Sequence, residues 1–498
     1  MRLAESLTLP QDLEIARSAG ELVIFAGAGV SMGAPALLPN FEGLAREIAE
    51  PKMGWRHEDA DALDIYLGDA ERAGVDVQVR AREKLQGRGG AHTPLHENLL
   101  RVFGEADRVR VITTNFDDHF TEAAAIVFPG NSLPRYVGPA LPLGQNFRGI
   151  VQLHGSLGHT HDPLVLTDRD FADAYMTEAW AARFLVRVFA QRTVLFVGYS
   201  LTDPVMRYLM RALPGAQKWF ALCPENEAER WIAHQVSPIS FHESLNAGPF
   251  GDLNDGLQRW GWYGRASLLD HDVELRRVVL QGPPLTPVDE DYLRARLTTD
   301  AGRQTFWLTA TEVHWFDWVL HEGLLAGLVR VDNLSPAVAS WGRWALTNFC
   351  GGQLPPLLGF LRRQSLSLNP QFALETALHL FRLPELPIGP VLRQLTVLLV
   401  NQVGSISHGT DLYVYLIGRL VKERCAEEAG ALLGSLTRVR LVPLEHIQLA
   451  FEDSACELDH CSPSSKCRLP CPAISRRLAR TSFRLAAMLP SVPRNSLA

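Results

Sequence analysis

Between Glu21 and about Trp262 the chain alternates short apolar runs with longer stretches of helical spacing. The first run, Leu22–Ala26 (LVIFA), is apolar at every position and β-branched at Val23 and Ile24. A run with no polar alternation and no helical period reads as a strand covered on both faces, as in a parallel sheet. Further runs of this kind are Val109–Thr113, Gly149–Leu153, Thr193–Val197, Trp219–Leu222 and Pro238–Phe241. Strands alternating with helices predict an α/β fold, a doubly wound parallel sheet of Rossmann type. Roughly Ala49 to Phe103 reads as helical and polar and is too long for a simple crossover, so a small helical insertion over the sheet is expected there.

After Trp262 the strand pattern fades. Amphipathic helical segments follow at Phe306–Leu328, Pro336–Phe349, Phe372–Phe381, Val391–Val403 and Leu412–Leu436. Prolines punctuate them, as between stacked helical pairs, so an all-α C-terminal region is expected, with a helical solenoid as the suggested build; no strict repeat is visible. From His460 onward there is no acidic residue, and Lys and Arg lie among prolines and serines. Such a segment is expected to pack poorly, as a disordered or truncated tail. The expected domains are 1–265, 266–455 and 456–498.

Composition narrows the class. A chain of 498 residues, 47% hydrophobic with a formal net charge of −7, is expected to hold more than one core and gives no sign of direct nucleic-acid binding. The N-terminus carries Glu5 and lacks the apolar centre of a signal peptide, and Val391–Val403 is interrupted by Arg393, Gln394, Asn401 and Gln402. A cytoplasmic protein without a membrane span is therefore expected. Cys223 is the only cysteine in the first 349 residues, so no cysteine zinc site is expected in the N-terminal half. Cys456, Cys461, Cys467 and Cys471 cluster without the paired C-x2-C knuckles of a zinc ribbon and read as free thiols. There is no GxxxxGK[ST] loop.

Candidate chemistry sits just past the predicted strands, where an α/β sheet places its ligands. The stretches are Ala26–Ser31 (AGAGVS), Thr113–Asp118 (TTNFDD), Leu153–Ser156 (LHGS) and Val197–Pro204 (VGYSLTDP). Gly27 and Gly29 permit a tight turn and close approach of a ligand to the backbone. Their amides, with a helix expected to start soon after, would suit a pyrophosphate. Each stretch alone has a plainer reading. Asn115 could cap a loop, His154 could be a core histidine, and Ser200 or Asp203 could cap a helix opening at Pro204. His154, His159 and His161 could bind a metal, though a solvated loop reads better. His92 and His96 have helical spacing, with Pro94 between them arguing against one regular helix.

Together and in this order, the four stretches resemble the sirtuin family. Its pattern is a GAGxS loop, a T-x-N-x-D segment, a catalytic histidine in an H-G pair and a G-x-S loop. Here these are Gly27–Ser31, Thr113–Asp117, His154-Gly155 and Gly198–Ser200, with a looser match at Ala34-Pro35 and Pro39-Asn40-Phe41. The resemblance covers Leu22 to Trp262. Sirtuin deacylases carry a four-cysteine zinc ribbon between the last two motifs, whereas Gly155–Val197 holds no cysteine. In this the chain looks like the divergent sirtuin-like domains of bacterial anti-phage systems, which cleave NAD+.

The resemblance implies NAD+ as substrate and no zinc. It makes His154 the general base and Asn115 the residue that orients the ribose hydroxyls or an attacking water. Asp117 would position the nicotinamide end or Asn115. Dinucleotide binding would fall to Ala26, Gly27, Ala28, Gly29, Ser31, Asn40, Phe41, Thr114, Gly198, Ser200 and, less firmly, Asn226. The helical half would assemble a homo-oligomer and sense a phage-derived trigger protein. The alternatives are an NAD-dependent deacylase or ADP-ribosyltransferase, and a module that senses NAD or ADP-ribose without turnover.

Overall fold

The computed structural model describes residues 1–56, 60, 62–88, 90–142, 146–159, 162–201, 204–212, 218–242, 251–329, 334–349, 354–364, 367–380, 417 and 429–432. Seven strands form one sheet: β1 (Leu22–Ala26), β2 (Arg110–Thr113), β3 (Arg135–Val137), β4 (Gly149–Gln152), β5 (Thr193–Val197), β6 (Trp219–Pro224) and β7 (Ser237–Phe241). Their order is β3-β4-β2-β1-β5-β6-β7, and every pairing is parallel. This is the expected doubly wound α/β sheet. Six of the strands coincide with the apolar runs of the sequence. The seventh, β3, escapes the pattern because it is a three-residue edge strand, half-buried and framed by Pro134 and Pro139.

The register places the chemistry. Ala26 is paired with Thr113 on one side and Val197 on the other, and Thr113 is paired with Gln152. The carboxyl ends of β1, β2, β4 and β5 are therefore level. From β1 the chain passes to β2, runs out to the edge at β3, comes back in to β4 and then crosses to β5 on β1's other side. The order reverses at β1, and the crevice outside the strand ends at such a point is where this fold holds ligands.

Helices α1 (Gln11–Ser18), α2 (Phe41–Met53), α3 (Leu63–Arg72), α4 (Val77–Gln86), α5 (Pro94–Val102) and α6 (His119–Val127) precede or flank the first strands. After them come α7 (Asp168–Ala172), α8 (Trp180–Gln191), α9 (Pro204–Ala212), α10 (Ala228–Ile232) and α11 (Gly251–Arg265). Strand side chains alternate between the sheet faces. Leu22, Ile24 and Ala26 of β1 join one core with Leu99 of α5, Phe120 of α6 and Trp260 of α11. Val23 and Phe25 join the opposite core with Phe189 of α8 and Trp231 of α10. A third core, with Leu44, Ile48, Leu67 and Ala81, binds α2, α3 and α4 to Phe116, Leu164 and Leu166. The helical insertion is thus α2–α4, while α5 is part of the layer on the first face.

After β7 the described elements are helices: α12 (Leu268–Gln281), α13 (Pro287–Leu297), α14 (Asp300–Thr309), α15 (Val313–His321), α16 (Pro336–Phe349), α17 (Leu354–Gln364) and α18 (Pro370–Leu380). The expected single segment Phe306–Leu328 is instead α14, α15 and a 3-10 turn, with a break where Glu312 takes an extended conformation ahead of α15. The segment Val391–Val403 and the tail with its four cysteines lie outside the described residues, as does Leu412–Leu436 apart from Ile417 and Ala429–Leu432. Two compact units divide the chain, one of residues 1–278 and 285–302, the other of 279–284 and 303–498. The second is cored by aromatic side chains, among them Phe306, Trp315, Trp341 and Trp344. Among the described residues no helix is long and apolar enough to cross a membrane.

Candidate active site

The loop after β1 is held by the loop after β5. Gly27 donates its amide to Val197 O (2.9 Å) and Gly29 donates to Gly198 O (2.8 Å). A Cβ on Gly27 would lie 2.5 Å from Gly198 O, and one on Gly29 would lie 2.8 Å from Gly198 Cα. Gly198 itself has φ +60°, a conformation that disfavours a side chain. These glycines are required for backbone-to-backbone approach of two loops. Their amides are not held open for a phosphate. Ala28–Ser31 is a single 3-10 turn, and the α-helix expected soon after the glycines begins only at Phe41. The helix that follows is α2, and Asn40 caps it by accepting from Gly43 N (2.8 Å).

Outside the strand ends lies a cavity of about 430 Å³. Its walls include Ala28, Gly29, Ser31, Asn40, Phe41, Thr114, Asn115, Asp117, His154, Gly198 and Ser200. Eleven of the fourteen site residues expected from sequence therefore meet in one cavity. Ala26 and Gly27 lie beneath it in the strand end and the loop pairing. Asn226 is exposed on a 3-10 turn (Glu225–Glu227) and does not line it; Glu227 of the same turn does.

One wall is a closed hydrogen-bond network whose proton positions follow from counting donors. Thr93 N donates to His96 Nδ1 (3.1 Å), so in the neutral ring the proton sits on Nε2. His96 Nε2 faces Ser31 Oγ at 3.3 Å, and Asn115 Nδ2 donates to the same oxygen at 3.1 Å. Ser31 thus accepts twice and gives its own proton to Asp117 Oδ2 (2.9 Å). Asp117 Oδ1 accepts from His119 N (3.2 Å), and its carbonyl accepts from Gln152 Nε2 (2.7 Å). Asn115 is held with its amide nitrogen on Ser31, which leaves its carbonyl oxygen as the remaining acceptor. Burial pushes the Asp117 carboxyl above its ordinary range, opposed mainly by His119 and the Ser31 hydroxyl. Burial, aided by His119 and His92, lowers His96 to about 3.

His154 stands at the end of β4. Its carbonyl accepts from Val165 N (2.9 Å), its Nε2 lies 2.8 Å from Tyr175 Oη, and burial lowers its pKa to about 3. The ring is therefore uncharged near neutral pH. Arg135 supports this wall from β3, reaching Asp118 and Ser156 and donating through Nε to Gln152 (2.6 Å).

Asn40 both caps α2 and lines the cavity. Pro94 opens α5 at its first position, with Thr93 as cap, so His96 is helical and His92 precedes the helix, 3.0 Å from Glu97. His159 pairs with Asp162 (3.4 Å), and His161 and Asp203 lie outside the described residues. Among the described residues, no group of three or more His, Cys, Asp or Glu side chains is placed to hold a metal ion. Tyr175, Phe171, His96 and Glu227 also belong to the site and are not among the residues expected there. A signal existed for two of them. The i, i+4 spacing of Phe171 and Tyr175 puts both on one side of a helical turn.

Residues 109–238 match the family described as SIR2-like domain. The matched span carries Asn115, Asp117, His154 and Gly198–Ser200, and it supports a sirtuin-like, NAD-related function in general. The chain is also similar to "Uncharacterized protein y4cA" of Sinorhizobium fredii (strain NBRC 101917 / NGR234), at 30% identity over 339 residues. The similarity covers 60% of this chain and 27% of that protein, so the chain matches only about a quarter of its relative's length.

Proposed function

We propose that the chain is an NAD+ hydrolase, releasing nicotinamide and ADP-ribose, and that it serves as an anti-phage effector whose helical half assembles and senses infection. The observation that carries the hydrolase reading is the meeting of His154, Asn115 and Asp117 in one cavity past the strand ends. At about 430 Å³ the cavity falls in the range of small-molecule sites. Among the described residues its lining includes Asp117, Glu227, Glu42 and Asp64 but no Lys or Arg. Phosphates would therefore rest on backbone amides other than those of Gly27 and Gly29 and on the hydroxyls of Thr114 and Ser200, and Asp117 would face the cationic nicotinamide end.

In this reading the bond from nicotinamide to ribose breaks through an oxocarbenium-like transition state. Asn115, locked by Ser31, holds a ribose hydroxyl or the attacking water with its carbonyl oxygen. His154, neutral through burial, accepts the proton that the hydroxyl or water gives up. The anti-phage role rests on the family resemblance.

The test is NAD+ loss and nicotinamide release by the full chain, purified and in cells under phage challenge. His154→Ala and Asn115→Ala are each expected to reduce release by about a hundredfold to ten-thousandfold while NAD+ still binds. Undiminished release by His154→Ala would end the assignment. Turnover that appears only with an acetyl-lysine peptide would favour the deacylase, and binding without turnover would favour the sensor.

A further inference from the structure

His154 has two ring nitrogens, and the structure distinguishes them. Nε2 is 2.8 Å from Tyr175 Oη, on the buried side of the ring. Nδ1 has no hydrogen-bond partner among the described residues, and it is not one of the fully enclosed unpartnered atoms. His154 also lines the cavity, and Nδ1 is the ring nitrogen left for it once Nε2 is taken by Tyr175.

Tyr175 reaches this position through an unusual piece of helix. α7 runs into a π turn over Asp173–Thr177, and such turns add a residue and shift the side chains that follow. The result sets Tyr175 and Phe171 parallel, with centroids 6.1 Å apart and 13° between planes. Both stand edge-to-face against the imidazole, Phe171 at 5.3 Å and 78°, Tyr175 at 5.9 Å and 80°. Tyr175 is itself buried. The ring of His154 is therefore fixed in tilt by two aromatic side chains and in rotation by one hydroxyl.

We propose that Tyr175 is the positioning residue of His154, its phenol oxygen accepting the Nε2 proton and so directing the Nδ1 lone pair into the cavity. The assignment rests on the NAD+ hydrolase reading in taking Nδ1 as the atom that receives the proton. In that step Nδ1 gains the proton of the attacking hydroxyl or water, Nε2 keeps its own on the phenol oxygen, and Tyr175 neither gains nor loses one. A phenol donating to Nε2 would put the proton on Nδ1 and leave the cavity facing a donor, unfit to take a proton.

Tyr175→Phe in the full chain removes only the hydroxyl and keeps both ring contacts. Loss of a single buried hydrogen bond to the base is expected to lower kcat for nicotinamide release about tenfold, with KM for NAD+ little changed. In the His154→Ala background the same substitution is expected to change nothing, because its effect passes through the imidazole. A role in folding alone would make the two losses multiply, and that result would overturn the proposal. Nitrogen NMR of 15N-histidine-labelled protein, with His154 assigned by its absence in His154→Ala, reads the tautomer without any turnover. The expected state is Nε2–H in the parent and a mixture in Tyr175→Phe. An Nδ1–H ring in the parent, or an unaltered ring in the variant, would refute it. If the parent releases no nicotinamide, the hydrolase reading fails while the NMR still decides the role of Tyr175.

Discussion

The cavity's two walls are built on opposite plans. On the side of β2 and β4, Ser31, His96, Asn115, Asp117 and His154 are all buried, and each side chain is held by at least one side-chain hydrogen bond. On the side of β5 and β6, Gly198 and Tyr199 are half-buried, Ser200 is exposed, and Glu227 rises from a short 3-10 turn. The first wall has one arrangement, because no member can turn without orphaning another in a low-dielectric interior. The second is a surface that a ligand can complete. A site that breaks one bond while gripping a long substrate benefits from this division, since geometry must be strict at the reacting atoms and can be forgiving at the handle.

Ser31→Ala is the sharpest way to break the first wall without touching the proposed base. It leaves His96 Nε2–H, Asn115 Nδ2 and Asp117 Oδ2 each short of a partner. Orphaning even one buried polar group costs about 1–3 kcal/mol, so a loss of at least that size is expected in urea denaturation, together with lost turnover. Ser200→Ala, on the other wall, is expected to stay within about 0.5 kcal/mol, as surface changes do. Equal losses in the two variants would erase the contrast.

Acid offers a second separation. His96 and His154 are lowered by burial from 6.5 to about 3, so the unfolded chain binds protons that the folded one refuses. The stability they contribute is complete above pH 6.5 and is lost as pH falls toward about 3, with a slope of about 1.4 kcal/mol per pH unit for each ring. Asp117 acts in the opposite sense. Raised by burial above its ordinary value of 3.8, it stabilises the fold below that value and loses this contribution as pH rises through its folded pKa. His154→Gln removes one of these titrations, and the fall of stability from pH 7 to 5 should become shallower by up to about 1.4 kcal/mol per pH unit. An unchanged slope would mean that the His154 ring is not protected from protons.

Much of this was legible in the sequence, and the misses have physical causes. Buried strands such as Leu22–Ala26 and Thr193–Val197 announce themselves because both faces are apolar, and the chemistry follows them because strand ends are where the loops emerge. The parts that stayed hidden depend on contacts distant in sequence. Ser31 meets His96 and Asp117 only through packing of the β1 loop between α5 and β2, and no local pattern encodes that pairing. Tyr175 shares a helical side with Phe171 by spacing, but its meeting with His154 comes through a π turn that no local pattern encodes. The roles expected of Gly27 and Gly29 show how one residue type serves two needs. Absence of a Cβ suits a phosphate or a neighbouring backbone equally, and here Gly198 takes that space.

The smallest expected effect lies on the second wall and separates neighbours in one turn. Gly198, Ser200 and, as a weaker candidate, Asn226 are the residues expected at the adenosine ribose; Asn226 is exposed, and Glu227 of the same turn lines the cavity beside Gly198 and Ser200. A carboxylate accepts hydrogen bonds from ribose hydroxyls, and this one stands past the end of β6, beside the β5 loop. Glu227→Gln keeps the shape but weakens the acceptor. A single such bond is worth about 0.5–1.5 kcal/mol, so KM for NAD+ should rise by roughly twofold to tenfold with kcat unchanged. Asn226→Ala should leave both constants within about twofold, as a substitution at an exposed position does. Steady-state kinetics on the two variants decides between them. If Asn226→Ala raises KM and Glu227→Gln does not, the ribose rests on the outer side of the turn and the second wall extends beyond the cavity.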